Sequence, residues 1–187
     1  VPMETLISVD VETAGPIPGQ YALLSIGACL IEDTSTSFYV ELQPDRAEIS
    51  PEAMAIHGLD LKTLQSTGAP PREALQSFSD WVRSVTPPGS RPIFVAFNAP
   101  FDWMFIHDYY MRYLGENPFG HSALDIKAYF MGKAGVDWGD TSFTLLASRF
   151  LEERHLSHNA LKDAQDQAEI FRKIIAQGIP RQQQLKP

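Results

Sequence analysis

The sequence predicts an α/β domain built on a mixed sheet. Three observations carry that expectation. Strand-like apolar segments follow one another between Thr5 and Leu42, with connections too short for a crossover helix, so they form an antiparallel meander. Pro92 to Phe97 is uniformly apolar, as a strand covered on both faces must be. After residue 50, helical apolar stripes bounded by proline, glycine and capping residues alternate with the remaining strand segments.

Thr5 to Thr13 (TLISVDVET) is an apolar run with β-branched members and reads as a buried strand. Ala14-Gly15-Pro16-Ile17-Pro18-Gly19 follows as a turn-rich loop. Ala22 to Ile31 reads as a second buried strand and Ser37 to Leu42 as an alternating third. Ser50 and Pro51 mark a helix start, a serine cap with proline in the first helical position, and His57-Gly58 ends that helix. Pro70-Pro71 opens a longer helix to Val85 with Leu75, Phe78, Trp81, Val82 and Val85 on its apolar face, and Pro87-Pro88-Gly89 stops it. Beyond the apolar strand, Asn98-Ala99-Pro100 turns into an aromatic-rich helix reaching Leu114. Ala123 to Gly132 reads as a short strand followed by a helix, and Thr141 or Ser142 caps another through Phe150. Asn159 to Ala176 is a last helix with Leu161, Ala164, Ala168, Phe171 and Ile175 on one stripe. No repeat or linker divides the chain, so one domain is expected over 3–178, with a polar tail at 179–187.

At 187 residues the chain can bury a single substantial core. An apolar fraction of 44% and a mean hydropathy of −0.16 suit a soluble globular protein. No apolar stretch approaches the roughly 20 residues that span a bilayer, and no basic-then-apolar segment opens the chain. Met3 is the expected natural start. The single cysteine, Cys29, lies in an apolar run and cannot form an internal disulfide. A cytoplasmic protein with no membrane partner is therefore expected. The net charge of −8 excludes a broad nucleic-acid-coating surface, which would be basic. It leaves room for an enzyme that meets nucleic acid at one cleft whose acidic charge is offset by cations.

Asp10 and Glu12 stand two apart at the end of the first strand, so both point to the same sheet face. Such a pair repels itself unless it is solvated or shares a hard cation such as Mg²⁺ or Mn²⁺. Asp102 falls in the first turn of the helix after the fourth strand, where the helix dipole alone would favour an acid. Asp163 lies early in the last helix with His158 just before it, and a loop histidine is often merely solvated. Each residue alone has an ordinary reading. Together, four carboxylates at strand ends and helix starts plus one histidine form the inventory of a two-metal phosphodiesterase site.

D-x-E-T on strand one, Asn98-Ala99-Pro100-Phe101-Asp102 after strand four and H-x-x-x-x-D in the last helix resemble the three motifs of the DEDDh 3′→5′ exonucleases. That family includes the proofreading epsilon subunit of bacterial DNA polymerase III and ribonuclease T. Pro51-Glu52-Ala53 with His57-Gly58-Leu59 resembles the family segment lining the nucleotide site, and Asn117-Pro118-Phe119 with Ala123-Leu124-Asp125 is similar to ribonuclease T. The resemblance implies a ribonuclease-H-like fold, a mixed five-stranded sheet flanked by helices. It implies a metal-dependent exonuclease acting on the 3′ end of single-stranded DNA or RNA and releasing nucleoside 5′-monophosphates. By the same resemblance Asp10, Glu12, Asp102 and Asp163 ligate two divalent ions, Mg²⁺ or Mn²⁺, and His158 is the general base. Glu12 and Thr13 would approach the 3′ end, and His57 and Phe101 the terminal nucleotide.

Three other readings stay open at this point: a proofreading subunit bound to a polymerase, a binding module that has lost catalysis, and a non-nuclease phosphohydrolase using the same ions, which the motif order disfavours. The second would be expected to have lost ligands, and all five motif residues are present. A homodimer or a polymerase or repair partner also remains open. Among other residues, Trp103, Phe105, Tyr109 and Tyr110 could stack on bases, though their spacing equally fits a core. Trp138 and Phe143 flank the cleft or cover the sheet, and Asp125 caps a helix or supports the site. Asp166 is expected to be a solvated neighbour of Asp163, and His155 to be exposed.

Overall fold

A computed structural model describes residues 3–151 and 157–177. The expected exposure of His155 and the polar tail lie outside these residues. Five strands, β1 (Met3–Thr13), β2 (Leu23–Leu30), β3 (Ser37–Glu41), β4 (Ser90–Ala96) and β5 (Ala123–Asp125), form one sheet in the order β3-β2-β1-β4-β5. The three N-terminal strands pair antiparallel, and β1, β4 and β5 run parallel. The predicted mixed sheet is therefore the observed one. β1 starts two residues earlier than expected, because Met3 and Glu4 pair with Ser90 and Arg91.

The helices are α1 (Pro51–His57), α2 (Leu61–Thr67), α3 (Pro71–Val85), α4 (Ala99–Tyr113), α5 (Ile126–Ala134), α6 (Phe143–Phe150) and α7 (Ala160–Ala176), with a 3₁₀ turn at Trp138–Thr141 before α6. Their caps explain their limits. Ser50, Asp60, Asp125, Ser142 and Asn159 each accept a backbone N–H of the first turn they precede. α2 was not expected. Its only buried residue is Leu64, so no apolar stripe announced it, and the Asp60 cap defines it instead.

One face of the sheet packs on α3 and α4. Ile7, Val9 and Val11 of β1 meet Phe78, Phe94, Phe105, Tyr109 and Tyr110 there. Phe105, Tyr109 and Tyr110 are thus core residues rather than base-stacking ones, and Trp103 packs at the edge of the same cluster. Tyr109 also does polar work: its hydroxyl accepts Leu23 N–H at 2.8 Å and donates to Asp45. Asp45 takes Tyr113 and Arg112 as well, which ties α4 to the segment after β3.

The other face carries α7, α5 and α6. α7 presents Ala160, Ala164 and Ala168 to the sheet, so its backbone comes close. Ile174, not Ile175, completes its buried stripe, which starts one residue earlier than the predicted one. Asp166 is 2% exposed, which corrects the expectation of a solvated side chain: it lies on the buried half of the helix between Asp163 and Ile170.

Close approach of α7 depends on Gly27 of β2. A Cβ there would stand 2.1 Å from the Ala160 carbonyl carbon and 2.2 Å from Leu161 N. Gly27 is also the register partner of Asp10. Neither neighbouring atom is a flexible side-chain end, so Gly27→Ala must push α7 away from the sheet. The expected loss is about 2–3 kcal/mol of unfolding free energy by urea denaturation, in the range of core overpacking. An unchanged midpoint would show that α7 does not rest against Gly27.

Candidate active site

Side chains alternate along β1. Its odd residues enter the core, and the even ones, Ser8, Asp10 and Glu12, turn toward α7. Ser8 Oγ donates to the Ala164 carbonyl at 2.7 Å, docking the helix one residue past Asp163. Asp10, Glu12 and Asp163 then each offer an oxygen, and the three oxygens lie within 4.8 Å of one another. Residues from the two ends of the sequence meet at the C-terminal end of a central strand, where open α/β sheets build their sites.

Asp163 is 3% exposed and is held by the loop before its own helix. Its Oδ1 accepts Ser157 N–H at 2.8 Å and Ser157 Oγ–H at 2.9 Å, and its Oδ2 accepts His158 N–H at 2.9 Å. These three donors occupy most of the roughly four lone-pair positions of a carboxylate. One position remains to face Asp10 and Glu12. The same bonds fix His158, whose φ of 54° is left-handed.

Asp102 reaches the cluster from the other side. It is 4% exposed in the first turn of α4, and its Oδ1 accepts Val11 N–H at 3.1 Å. It is not one of the three residues whose oxygens converge, yet its charge bears on Asp10. The start of α4 is shaped by Asn98, also left-handed with a φ of 64°, and by Asp125. Asp125 Oδ2 accepts Ala99 N–H at 2.7 Å while its Oδ1 accepts Ala128 N–H at 2.6 Å, so one carboxylate caps α5 and anchors α4.

His57 stands against the end of β1. Leu59 N–H donates to its Nδ1 at 3.1 Å, which leaves the proton on Nε2 to donate to the Thr13 carbonyl at 3.2 Å. Burial holds its pKa below the usual histidine value, against the opposing effect of its bond to the Thr13 carbonyl. Thr13 Oγ1 donates to the Gly15 carbonyl at 2.8 Å and is spent on the following turn. Phe101 is half-buried with its ring 5.5 Å from that of Phe105. Phe143 covers Phe97 at the end of β4, and Trp138 is half exposed with Lys127 Nζ 4.2 Å from its ring centroid.

Burial and crowding shift the acids upward. Burial is the larger cause for Asp10, followed by the charges of Asp102, Glu12 and Asp163. Burial also raises Asp102, against the opposing effect of its Val11 hydrogen bond. Glu12 is pushed up to about 7 by burial and then by Asp163. Acids that resist ionisation next to one another fit a hard divalent cation, which takes carboxylate oxygens and restores the charged form. Asp10, Glu12 and Asp163 could hold such an ion, with Asp102 at its flank.

Two residues near this centre had no functional reading in the sequence. Gly27 is visible only as a glycine inside an apolar strand, a mark of close backbone approach. Gln167 lies one turn beyond Asp163 and is 1% exposed. Its signal was a polar residue inside the stripe that α7 turns to the sheet.

Residues 7–171 match the sequence profile of the exonuclease family. The 3′-5′ DNA exonuclease Cap18 of Escherichia coli is 44% identical over 171 residues, covering 91% of each chain. Ribonuclease T of Salmonella choleraesuis (strain SC-B67) is 32% identical over 183 residues, covering 90% of this chain and 83% of its own. The solved nuclease domain of 3′hExo, a DEDDh family member bound to rAMP, superposes with a TM-score of 0.76 at 13% identity, over 95% of this chain and 94% of its own. That last likeness is one of fold.

The raised Glu12 has a measurable consequence. It ionises at about 7 in the folded chain, against 4.5 for the ordinary group. Between those values the unfolded state has released the proton that the folded state still holds, so stability falls as pH rises through the window. His57, with its depressed pKa, slopes the other way, so the test compares wild type with Glu12→Gln. With chelator present, the variant is expected to flatten the fall in melting temperature between pH 4.5 and 7; in separate samples without chelator, Mn²⁺ is expected to raise the wild-type value most at the upper end. Identical profiles for both proteins would remove Glu12 from the charge cluster.

Proposed function

This chain belongs to the exonuclease family, and we propose that it removes nucleotides one at a time from the 3′ end of single-stranded DNA, releasing nucleoside 5′-monophosphates. The observation that carries the reading is the convergence of Asp10, Glu12 and Asp163 within 4.8 Å. Three acids crowded at a partly buried strand end weaken a fold unless a cation joins them. The name of the 44% identical relative supports DNA over RNA as substrate. Cys29, a buried free thiol, and the lack of any described helix long and apolar enough to cross a membrane are compatible with a cytoplasmic site of action.

In this reading Asp10, Glu12, Asp102 and Asp163 would hold two divalent cations, Mg²⁺ or Mn²⁺. Such ions, when bound, would supply positive charge against the phosphate oxygens and acidify the attacking water. His158 takes the water proton as general base. The water oxygen bonds to phosphorus in line with the bond to the leaving 3′ oxygen; that bond breaks, and the 3′ oxygen takes a proton from solvent and stays on the shortened strand as a hydroxyl. The backbone supports that role: Asp163 accepts His158 N–H, so the base and one cation ligand are held by a single hydrogen bond. Glu12 and Thr13 border the 3′ end. Phe101 meets the terminal base, and His57 contributes its ring face, since both its nitrogens are already bonded.

The test is a cleavage time course on 5′-labelled single-stranded DNA and RNA of one sequence, with Mg²⁺, Mn²⁺ or EDTA. A ladder shortening from the 3′ end, faster on DNA and absent with EDTA, is expected. His158→Ala should lose about 10²–10⁴ in rate, the usual share of a general base, while still binding Mn²⁺ by calorimetry. Asp10→Ala should lose both activity and the calorimetric signal. A fully active His158→Ala protein would unseat the assigned base, and bound Mn²⁺ without any ladder would favour a binding module.

A further inference from the structure

β1 and β4 part company where the site begins. Their parallel register runs from Met3 with Ser90 to Ser8 with Val95. Continued by two residues, that register would set Asp10 beside Phe97. Phe97 N–H would then bond the Val9 carbonyl, and Val11 N–H the Phe97 carbonyl, as the slanted rungs of a parallel ladder require. Side chains take three of those four groups instead. Phe97 N–H donates to Gln167 Oε1 at 2.5 Å, and Gln167 Nε2 donates to the Val9 carbonyl at 3.0 Å. Val11 N–H goes to Asp102 Oδ1.

We propose that Gln167 is a positioning residue of the site: its amide replaces a rung between β1 and β4, and so fixes the gap between the strands that carry Asp10 and lead to Asp102. This rests on the catalytic reading given above. A primary amide is suited to the task. It offers one acceptor and one donor on the same plane, so it extends a broken rung without leaving Phe97 N–H or Val9 C=O unpaired in a buried place. The side chain is 1% exposed, and no solvent can substitute for it. Gln167 also stands one helical turn from Asp163, so the two bonds that hold the strands apart hold α7 in place at the same time. A single side chain thereby relates the three segments that contribute carboxylates. It touches no substrate and no reacting atom.

The test uses the full chain with Gln167→Glu and Gln167→Leu. Gln167→Glu, assayed at an alkaline pH where its carboxyl is ionised, keeps shape and the acceptor for Phe97 N–H but sets an oxygen against the Val9 carbonyl. Gln167→Leu removes both bonds. Both are assayed well below their melting temperatures, by Mn²⁺ calorimetry and by kcat and KM on single-stranded DNA. If the residue sets ligand geometry, Mn²⁺ affinity and kcat each fall about 10–100-fold, the usual effect of a group supporting metal ligands, while KM for the oligonucleotide stays within twofold. A role in stability alone predicts lower melting temperatures with wild-type Mn²⁺ affinity and kcat, and that result for either variant overturns the proposal. Should Gln167→Leu fail to fold, Gln167→Glu decides by the same readouts. The controls separate the two levels: wild type that binds no Mn²⁺, or Asp10→Ala that binds it normally, defeats the catalytic reading itself. Normal controls with wild-type-like Gln167 variants defeat only the positioning role.

Discussion

Like charges held within a few ångströms of one another must be protonated, solvated or matched by opposite charge. The placement of Asp10, Glu12 and Asp163 imposes that constraint, and much of the fold serves to maintain it. The strand that bears the first two is central and cannot move, being paired with β2 on one side and β4 on the other. The helix that bears the third is drawn in by three small residues and a glycine, then fixed by bonds from Ser8 and to Val9. Proximity is enforced by packing against the preference of the charges; burial first, and then the neighbouring carboxylates, push Asp10 and Glu12 upward.

The backbone departs from regular form at the same places. Asn98 and His158, the non-glycine residues with positive φ among those described, stand one and two residues before helices that each carry an acid of the site. Left-handed backbone at such residues costs about 1–2 kcal/mol, and here the strain is opposed by hydrogen bonds. Asp163 takes the amides of residues 157 and 158, and Asp125 takes that of Ala99. Both helices also aim their N-termini toward the acids, which lends partial positive charge where the carboxylates gather.

Much of this was legible in the sequence because the relevant signals are local. Alternation put Asp10 and Glu12 on one face of β1, and capping chemistry marked the starts of α1, α5 and α6. The family motifs joined Asp10, Glu12, Asp102, His158 and Asp163 into one expected site, and the fold brings three of the four acids into direct convergence. What escaped was relational. Gln167 reads as one more polar residue on a helix until the register of β1 and β4 shows which backbone groups need partners. Asp166 lies only one turn from Asp163, yet its burial depends on how α7 rolls against the sheet. The same roll moved the stripe from Ile175 to Ile174. α2 escaped because a helix with a single buried residue leaves no periodic trace.

The contacts that complete the acid cluster join residues 156 and 158 positions apart, Ser8 with Ala164 and Val9 with Gln167. Everything between them must be synthesised before they can form. A nascent chain emerging from the ribosome could assemble β1 to β5 and still lack Asp163, and with it the third arm of the acid cluster. The acid cluster is therefore completed late, with the docking of α7.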